Sequence, residues 1–223
     1  WQRVADELRH VPAGQHAGVA RAVQDLLAAG AHIEANRFDA AAPLLESLPA
    51  RLAAVPSLAL ASRFWIQYVA WYRGDKANVA AAVSRLQRQA AARRFAFLEA
   101  RCALLLAASF ESLARYDEAA AAFREAIARF EELREVEFAA SAHAMLAHLL
   151  SVQGDLSDAW NHLRAALEAL WGADVYDTYG CNECGTMAAE CAHKSGMHVF
   201  EDAFILEVND PETLQPRSEG ERG

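Results

Sequence analysis

Five soft or borderline metal ligands crowd the segment 181–198, where Cys181-Asn-Glu-Cys184 is followed by Cys191, His193 and His198. Zinc favours tetrahedral sulfur and nitrogen coordination, and a CxxC pair joined by a second ligand pair supplies it. Gly180 and Gly185 permit the knuckle turn such a pair needs. Cys181, Cys184, Cys191 and His193 are therefore the candidate metal ligands, and the three thiols are the candidate redox groups. A structural reading competes. If Gly196 is a turn residue of a helical repeat, Cys184 and Cys191 take places held in other units by Ser62, Val69, Ser109, Ala142 and Leu149. Those residues are mostly small or apolar, and free Cys packs as a small hydrophobe. The register explains both cysteines without a metal, so no cofactor is assigned and the metal or redox domain stands as an alternative.

Other chemistry finds less footing. His143 and His148 are five apart, which does not set them on one helical face as the HExxH zinc motif requires. The sequence contains no nucleophile elbow, phosphate loop or dinucleotide fingerprint. Carboxylate pairs such as Glu131-Glu132 read as solvated helix faces. The chain is expected not to be an enzyme.

The elements that position these residues are helices. Apolar residues recur at i, i+3, i+4 and i+7 along most of the chain, which predicts helices near 2–10, 14–35, 38–54, 57–73, 76–92, 95–114, 117–132, 135–153, 156–171, 174–195 and 197–209. Tight turns are expected at Gly74-Asp75, Arg115-Tyr116, Gly154-Asp155 and Ser195-Gly196. The helices repeat in pairs. LARYDEAAAAFREAI (113–127) aligns with VQGDLSDAWNHLRAAL (152–167), setting Ala119 against Ala159, Phe123 against Leu163 and Ala126 against Ala166. The same frame places Ala41 and Val79 at the Ala119 position, so the unit recurs at an almost constant step from Ala41 to Val79, Ala119 and Ala159. A period of this size marks a stacked array of helix pairs. Small residues at the crossing let two helix backbones approach, and Ala is also the best helix former.

This pattern resembles the tetratricopeptide repeat, on Ala107, Phe110, Tyr116, Ala119, Phe123 and Ala126 of the third unit and Ala147, Leu150, Gly154, Leu156, Ala159, Leu163 and Ala166 of the fourth. The resemblance implies an all-α, right-handed α-solenoid of antiparallel helix pairs, about five units long. The family period is about 34 residues, so each unit here carries about six more. In that family the first helices line a concave, partner-binding groove. Carried over, the groove set includes Tyr68, Trp71, Tyr72, Arg101, Glu111 and His148, with Arg101 poised for a partner carboxylate. A looser resemblance, on GDLSDAWNHLRAALEAL (154–170), MAAECAHKSG (187–196) and FEDAFILEV (200–208), is to the repeat regions of bacterial signalling proteins, especially the caspase-like CHAT proteases. It implies a sensor whose catalytic domain lies outside this chain.

Composition supports a packed domain. The 223 residues are 54% hydrophobic, enough apolar surface for a continuous core. The net charge of −9 argues against nucleic acid, whose phosphates demand clustered Lys and Arg. No apolar run approaches the about 20 residues of a membrane span. The free-thiol reading of Cys102, Cys181, Cys184 and Cys191 fits a reducing, cytoplasmic setting. With Trp1 in place of an initiating Met, the chain is expected to be a piece of a longer protein. Expected domains are a repeat array over 1–209 and a polar tail or linker over 210–223. The expected function is a protein-interaction scaffold or sensor whose partner is a protein, a peptide or an effector domain of the same full-length chain.

Overall fold

The computed structural model describes residues 2–218. It divides between Gly172 and Ala173 into two units. The first is helical throughout: α1 (Gln2–Arg9), a 3-10 turn (Ala13–Gln15), α2 (His16–Glu34), α3 (Phe38–Glu46), α4 (Leu48–Arg51), α5 (Pro56–Tyr72), α6 (Lys76–Ala92), α7 (Ala96–Ser112), α8 (Tyr116–Glu132), α9 (Val136–Gln153) and α10 (Leu156–Trp171). From α5 onward each helix packs on the next, and α5 also meets α7. The helix expected over 38–54 is split at Ser47. Pro43 lacks the N–H for an intrahelical bond and Pro49 lies in the first turn of α4, so the backbone restarts between them.

The later turns share one construction. Gly74, Arg94, Ala114, Arg134 and Gly154, equally spaced along the chain, all have left-handed φ between 56° and 99°. The residue that follows donates its N–H five positions back: Asp75 to Ala70, Phe95 to Ala90, Arg115 to Phe110, Glu135 to Phe130 and Asp155 to Leu150, at 2.9–3.1 Å. This is the Schellman closure, which satisfies carbonyls that the helix end leaves open. A recurring turn between helices of 17 or 18 residues holds the period constant. Each repeat is thus two equal steps of helix and turn.

The crossing positions are buried as the repeat frame requires. Ala41 and Ala119 are fully buried, and Val79 and Ala159 nearly so. Phe123, Phe130, Leu146 and Leu149 fill the core between α7 and α10. The frame loses its grip at the last helix. Leu156 is 67% and Leu163 39% exposed, because α10 packs on α9 and, among the described residues, no further helix pair covers its other face.

The second unit corrects the helices expected over 174–195 and 197–209. It holds a three-stranded antiparallel sheet in the order β1 (Thr178–Cys181), β2 (Gly185–Glu190), β3 (Met197–Val199). A helix here would have to carry Gly180 and Gly185 in its interior, at about 1 kcal/mol each relative to Ala. The hairpin uses both. A Cβ on Gly180 would collide with the Gly185 carbonyl oxygen, and Gly185 has φ +74°. Among the described residues the array therefore ends with α10, and the expected fifth helix pair is absent. Residues 210–218 of the expected tail close a local turn. The Asp210 carboxylate accepts from the Glu212 and Thr213 backbone N–H groups at 2.8 Å and pairs with Arg217. Residues 219–223 of that tail lie outside the described residues.

Candidate docking groove

The first helices of three successive pairs, α5, α7 and α9, bring their facing side chains to one cavity of about 270 Å³. Phe64, Tyr68, Trp71 and Tyr72 come from α5, Arg101, Leu104 and Ala108 from α7, and Phe138, Ser141 and Met145 from α9. Four of the six residues carried over from the repeat resemblance meet here: Tyr68, Trp71, Tyr72 and Arg101. Glu111 and His148 do not line it; His148 is exposed further along α9. Phe138 and Met145 escape the sequence frame. Phe138 sits one turn before Ser141, at a place the family motif does not count as groove-facing, and only its i, i+3 spacing to Ser141 points that way.

The α5 aromatics form a continuous row. Phe64 meets Trp65 edge-on at 5.5 Å, Trp65 meets Tyr68 at 5.4 Å, and Tyr68 meets Tyr72 at 5.0 Å between ring centroids. Tyr72 then stacks on Phe38 of α3 at 4.2 Å. Phe64 belongs to the core at 3% exposure, whereas Tyr72 is 46% exposed. The row grades from core to surface along one helix, so the same residues build the array and present an aromatic wall. The Tyr68 and Tyr72 hydroxyls are 3.3 Å apart. Burial first, and Tyr72 second, push the Tyr68 hydroxyl up to about 12, keeping it neutral and able to donate. The Trp71 ring carries Lys76 Nζ at 3.3 Å from its centroid.

Arg101 stands at the centre. Its guanidinium carbon lies 4.7 Å from the Phe138 ring, 5.1 Å from Phe64 and 5.2 Å from Trp65. The same side chain and Phe64 also wall a second cavity of about 320 Å³, which continues toward α1 past Ala61, Phe97 and Leu98. Helix α1 is fastened there by Glu7, whose carboxylate accepts from the Ser57 N–H at 2.9 Å and its hydroxyl at 2.6 Å. Burial lowers the Arg101 pKa, and the groups whose charge raises it are Tyr68 and Cys102. A larger depression, between α3 and α5 around Pro43, Ile66 and Val69, lacks this convergence of aromatics and charge.

Two polar clusters have no residue among those lining the groove. His143 Nδ1 and His162 Nδ1, from α9 and α10, are 2.8 Å apart, and His143 Nε2 is 3.4 Å from Glu131. Burial and then the His143 charge lower the His162 pKa. His162 has no signal in the sequence, since its partner lies on the neighbouring helix, outside any local motif. In the sheet unit, the register reading of the cysteines is overturned. Cys181 and Cys184 are exposed and flank the hairpin turn, and Cys191 is half-buried beyond β2. Cys191 Sγ lies 3.1 Å from His198 Nε2, while His193 is exposed. The intervening β2 separates Cys184 from Cys191 by about 20 Å at strand rise. The ligands thus form two pairs at opposite ends of one strand, and among the described residues no group of three or more His, Cys, Asp or Glu is placed to hold a metal. Cys102, by contrast, is fully buried in α7, where burial pushes its thiol up to about 12.

Neither a family model nor a curated protein matches the chain. Solved structures do resemble it. BtubC (BKLC) from P. vanneervenii superposes with a TM-score of 0.61 at 18% identity, covering 77% of this chain and 71% of that one. A structure of MamA from MSR-1 covers 67% of this chain and 96% of its own, at 17% identity and a TM-score of 0.29. The first likeness shows a shared fold. The stretch 187–208, on which the expected likeness to the caspase-like protease repeats partly rested, holds most of β2 and all of β3 in place of the expected helix pair, and no comparison supports that likeness. No described helix is long and apolar enough to cross a membrane.

Proposed function

We propose that the array is a non-enzymatic docking module that takes an extended peptide segment, from a protein partner or from another domain of the same full-length chain, into the groove across α5, α7 and α9. One observation carries this reading. Tyr68, Trp71, Tyr72, Arg101, Phe138 and Met145, contributed by three helices, converge on one concave surface. Aromatic side chains bury large area at low entropic cost and keep a polar tip, which is why they dominate binding hot spots. Among the residues lining the groove no nucleophile is paired with a base, so positioning and burial are its resources. Micromolar affinity is the range expected, because the groove is open and the peptide must be ordered on binding. The test is a peptide-display selection on immobilised protein, followed by binding of the winners to Trp71→Ala and Met145→Ala. Both substitutions should weaken the selected peptides about tenfold or more. Winners that bind both variants as tightly as the parent would place docking elsewhere.

A further inference from the structure

We propose that Arg101 is the receptor for an internal Asp or Glu side chain of the docked segment, so that the groove selects an acidic residue flanked on both sides by apolar ones. This rests on the groove reading above. The first observation is what Arg101 lacks. Several arginines of the array find carboxylates: Arg51 reaches Asp25 at 2.7 Å, Arg129 reaches Glu99 at 3.2 Å and Arg73 reaches Asp39 at 3.4 Å. Arginines without one, such as Arg63 and Arg85, are exposed, whereas Arg101 is half-buried. Among the described residues Arg101 has rings at three sides and no carboxylate partner. A guanidinium carries five N–H donors in a rigid fork, and on half-buried Arg101 no nitrogen is both fully buried and unpartnered, so the fork stays open to a ligand. The aromatic faces hold the fork still without satisfying its donors, because a π face attracts the charge but offers no lone pair. A carboxylate offers the bidentate match.

The second observation concerns direction. Arg101 and Phe64 wall both cavities, one toward α1 and one toward α9. A segment seated on Arg101 continues past it both ways, which fits a side-chain carboxylate better than a chain end. Its neighbours would meet Phe97 and Leu98 on one side and Leu104 and Met145 on the other. The chain's net charge of −9 opposes an acidic ligand. That opposition is weak, because exposed charges beyond the Debye length of about 8 Å are screened while a partly buried fork in direct contact is not.

The test uses N-acetylated, C-amidated peptide pools with Glu between randomised Leu, Phe and Met positions. Matched pools carry Gln in its place, and a third set carries Gln with a free C-terminal carboxylate. Fluorescence anisotropy should show the Glu pool binding at least about tenfold tighter than the Gln pool, the scale of a charge-assisted bidentate contact. Arg101→Met should remove that difference while retaining the weaker Gln-pool binding, and Arg101→Lys should keep part of it. The comparison on the unaltered protein needs no variant to fold. Equal binding of Glu and Gln pools would overturn the carboxylate site and leave the groove standing. Preference for the free-carboxylate set would overturn the internal position. Absence of binding by every pool would count against the groove itself, and this site with it.

Discussion

Cys102 and Cys184 make the sharpest contrast between the two units. Continued past α10, the repeat frame would set both at one position, but Cys184 lies in the hairpin of the sheet instead. Cys102 lies in α7 with no exposed surface and its thiol is raised to about 12 by burial, whereas Cys184 stands exposed beside the hairpin turn, its pKa raised by the hydrogen bond with Cys181. One residue type serves as inert packing in the array and as a surface group in the sheet. The difference lies in what each unit has available to bury it. The array stacks helix on helix with small residues at each crossing, and the core runs from α2 to α10. The sheet has strands of four, six and three residues and, among its described residues, Ala188 as its buried apolar side chain. Stability should therefore be concentrated in the array.

The strongest way to break this comparison is to open the array's core. Phe123→Ala removes a fully buried ring and should cost about 3–5 kcal/mol in denaturant unfolding. Cys181→Ser at the exposed hairpin should shift the same transition by less than about 0.5 kcal/mol. A comparable loss from both would mean that the units share one core. Overpacking is the next test. Ala119→Leu forces extra carbons into a crossing with no exposed surface and should cost about 1–3 kcal/mol; an unchanged melting temperature would refute the crossing assignment.

The turns sharpen the comparison at smaller scale. Ala114 holds φ 56°, a conformation that costs a non-glycine residue about 1–2 kcal/mol. Ala114→Gly should stabilise the array by about 0.5–1 kcal/mol after the loss to unfolded-state entropy, while Gly154→Ala should destabilise it by a similar amount, both read from thermal melts. The smallest effect concerns acid. The His162 pKa is lowered from its ordinary 6.5, so below 6.5 the unfolded chain binds a proton that the fold refuses. Stability is full above 6.5 and falls as pH drops from there toward the lowered folded value, and His162→Asn should flatten this slope. A steeper slope in the variant would reverse the sign of the coupling.

The array is legible in the sequence because two signals coincide in it. Ala41, Ala119 and Ala159 recur in one frame, and each sits between apolar residues at helical spacing, so propensity and packing ask for the same structure. The expected helices over 76–92 and 156–171 match α6 and α10 to the residue. The sheet is not legible in the same way. MAAECAH is helical by composition, and extending the repeat frame across Gly180 and Gly185 ignores that both oppose it. Within the groove, Tyr68, Trp71, Tyr72 and Arg101 follow from the repeat register. So does Phe64, but the other two rings around Arg101 do not, because Trp65 on α5 and Phe138 on α9 fall outside the groove-facing positions and no local pattern links them.

Photo-crosslinking shows most directly whether peptides dock in the groove. The Glu-containing peptide pool, carrying a benzophenone beside the acidic residue, would be irradiated with the protein and the adducts mapped by mass spectrometry. Adducts are expected on α5, α7 and α9, at residues such as Leu104, Met145 and Tyr68. Adducts concentrated on the exposed face of α10, around Leu156, Leu163 and Trp171, would contradict groove docking and make the open end of the array the docking surface.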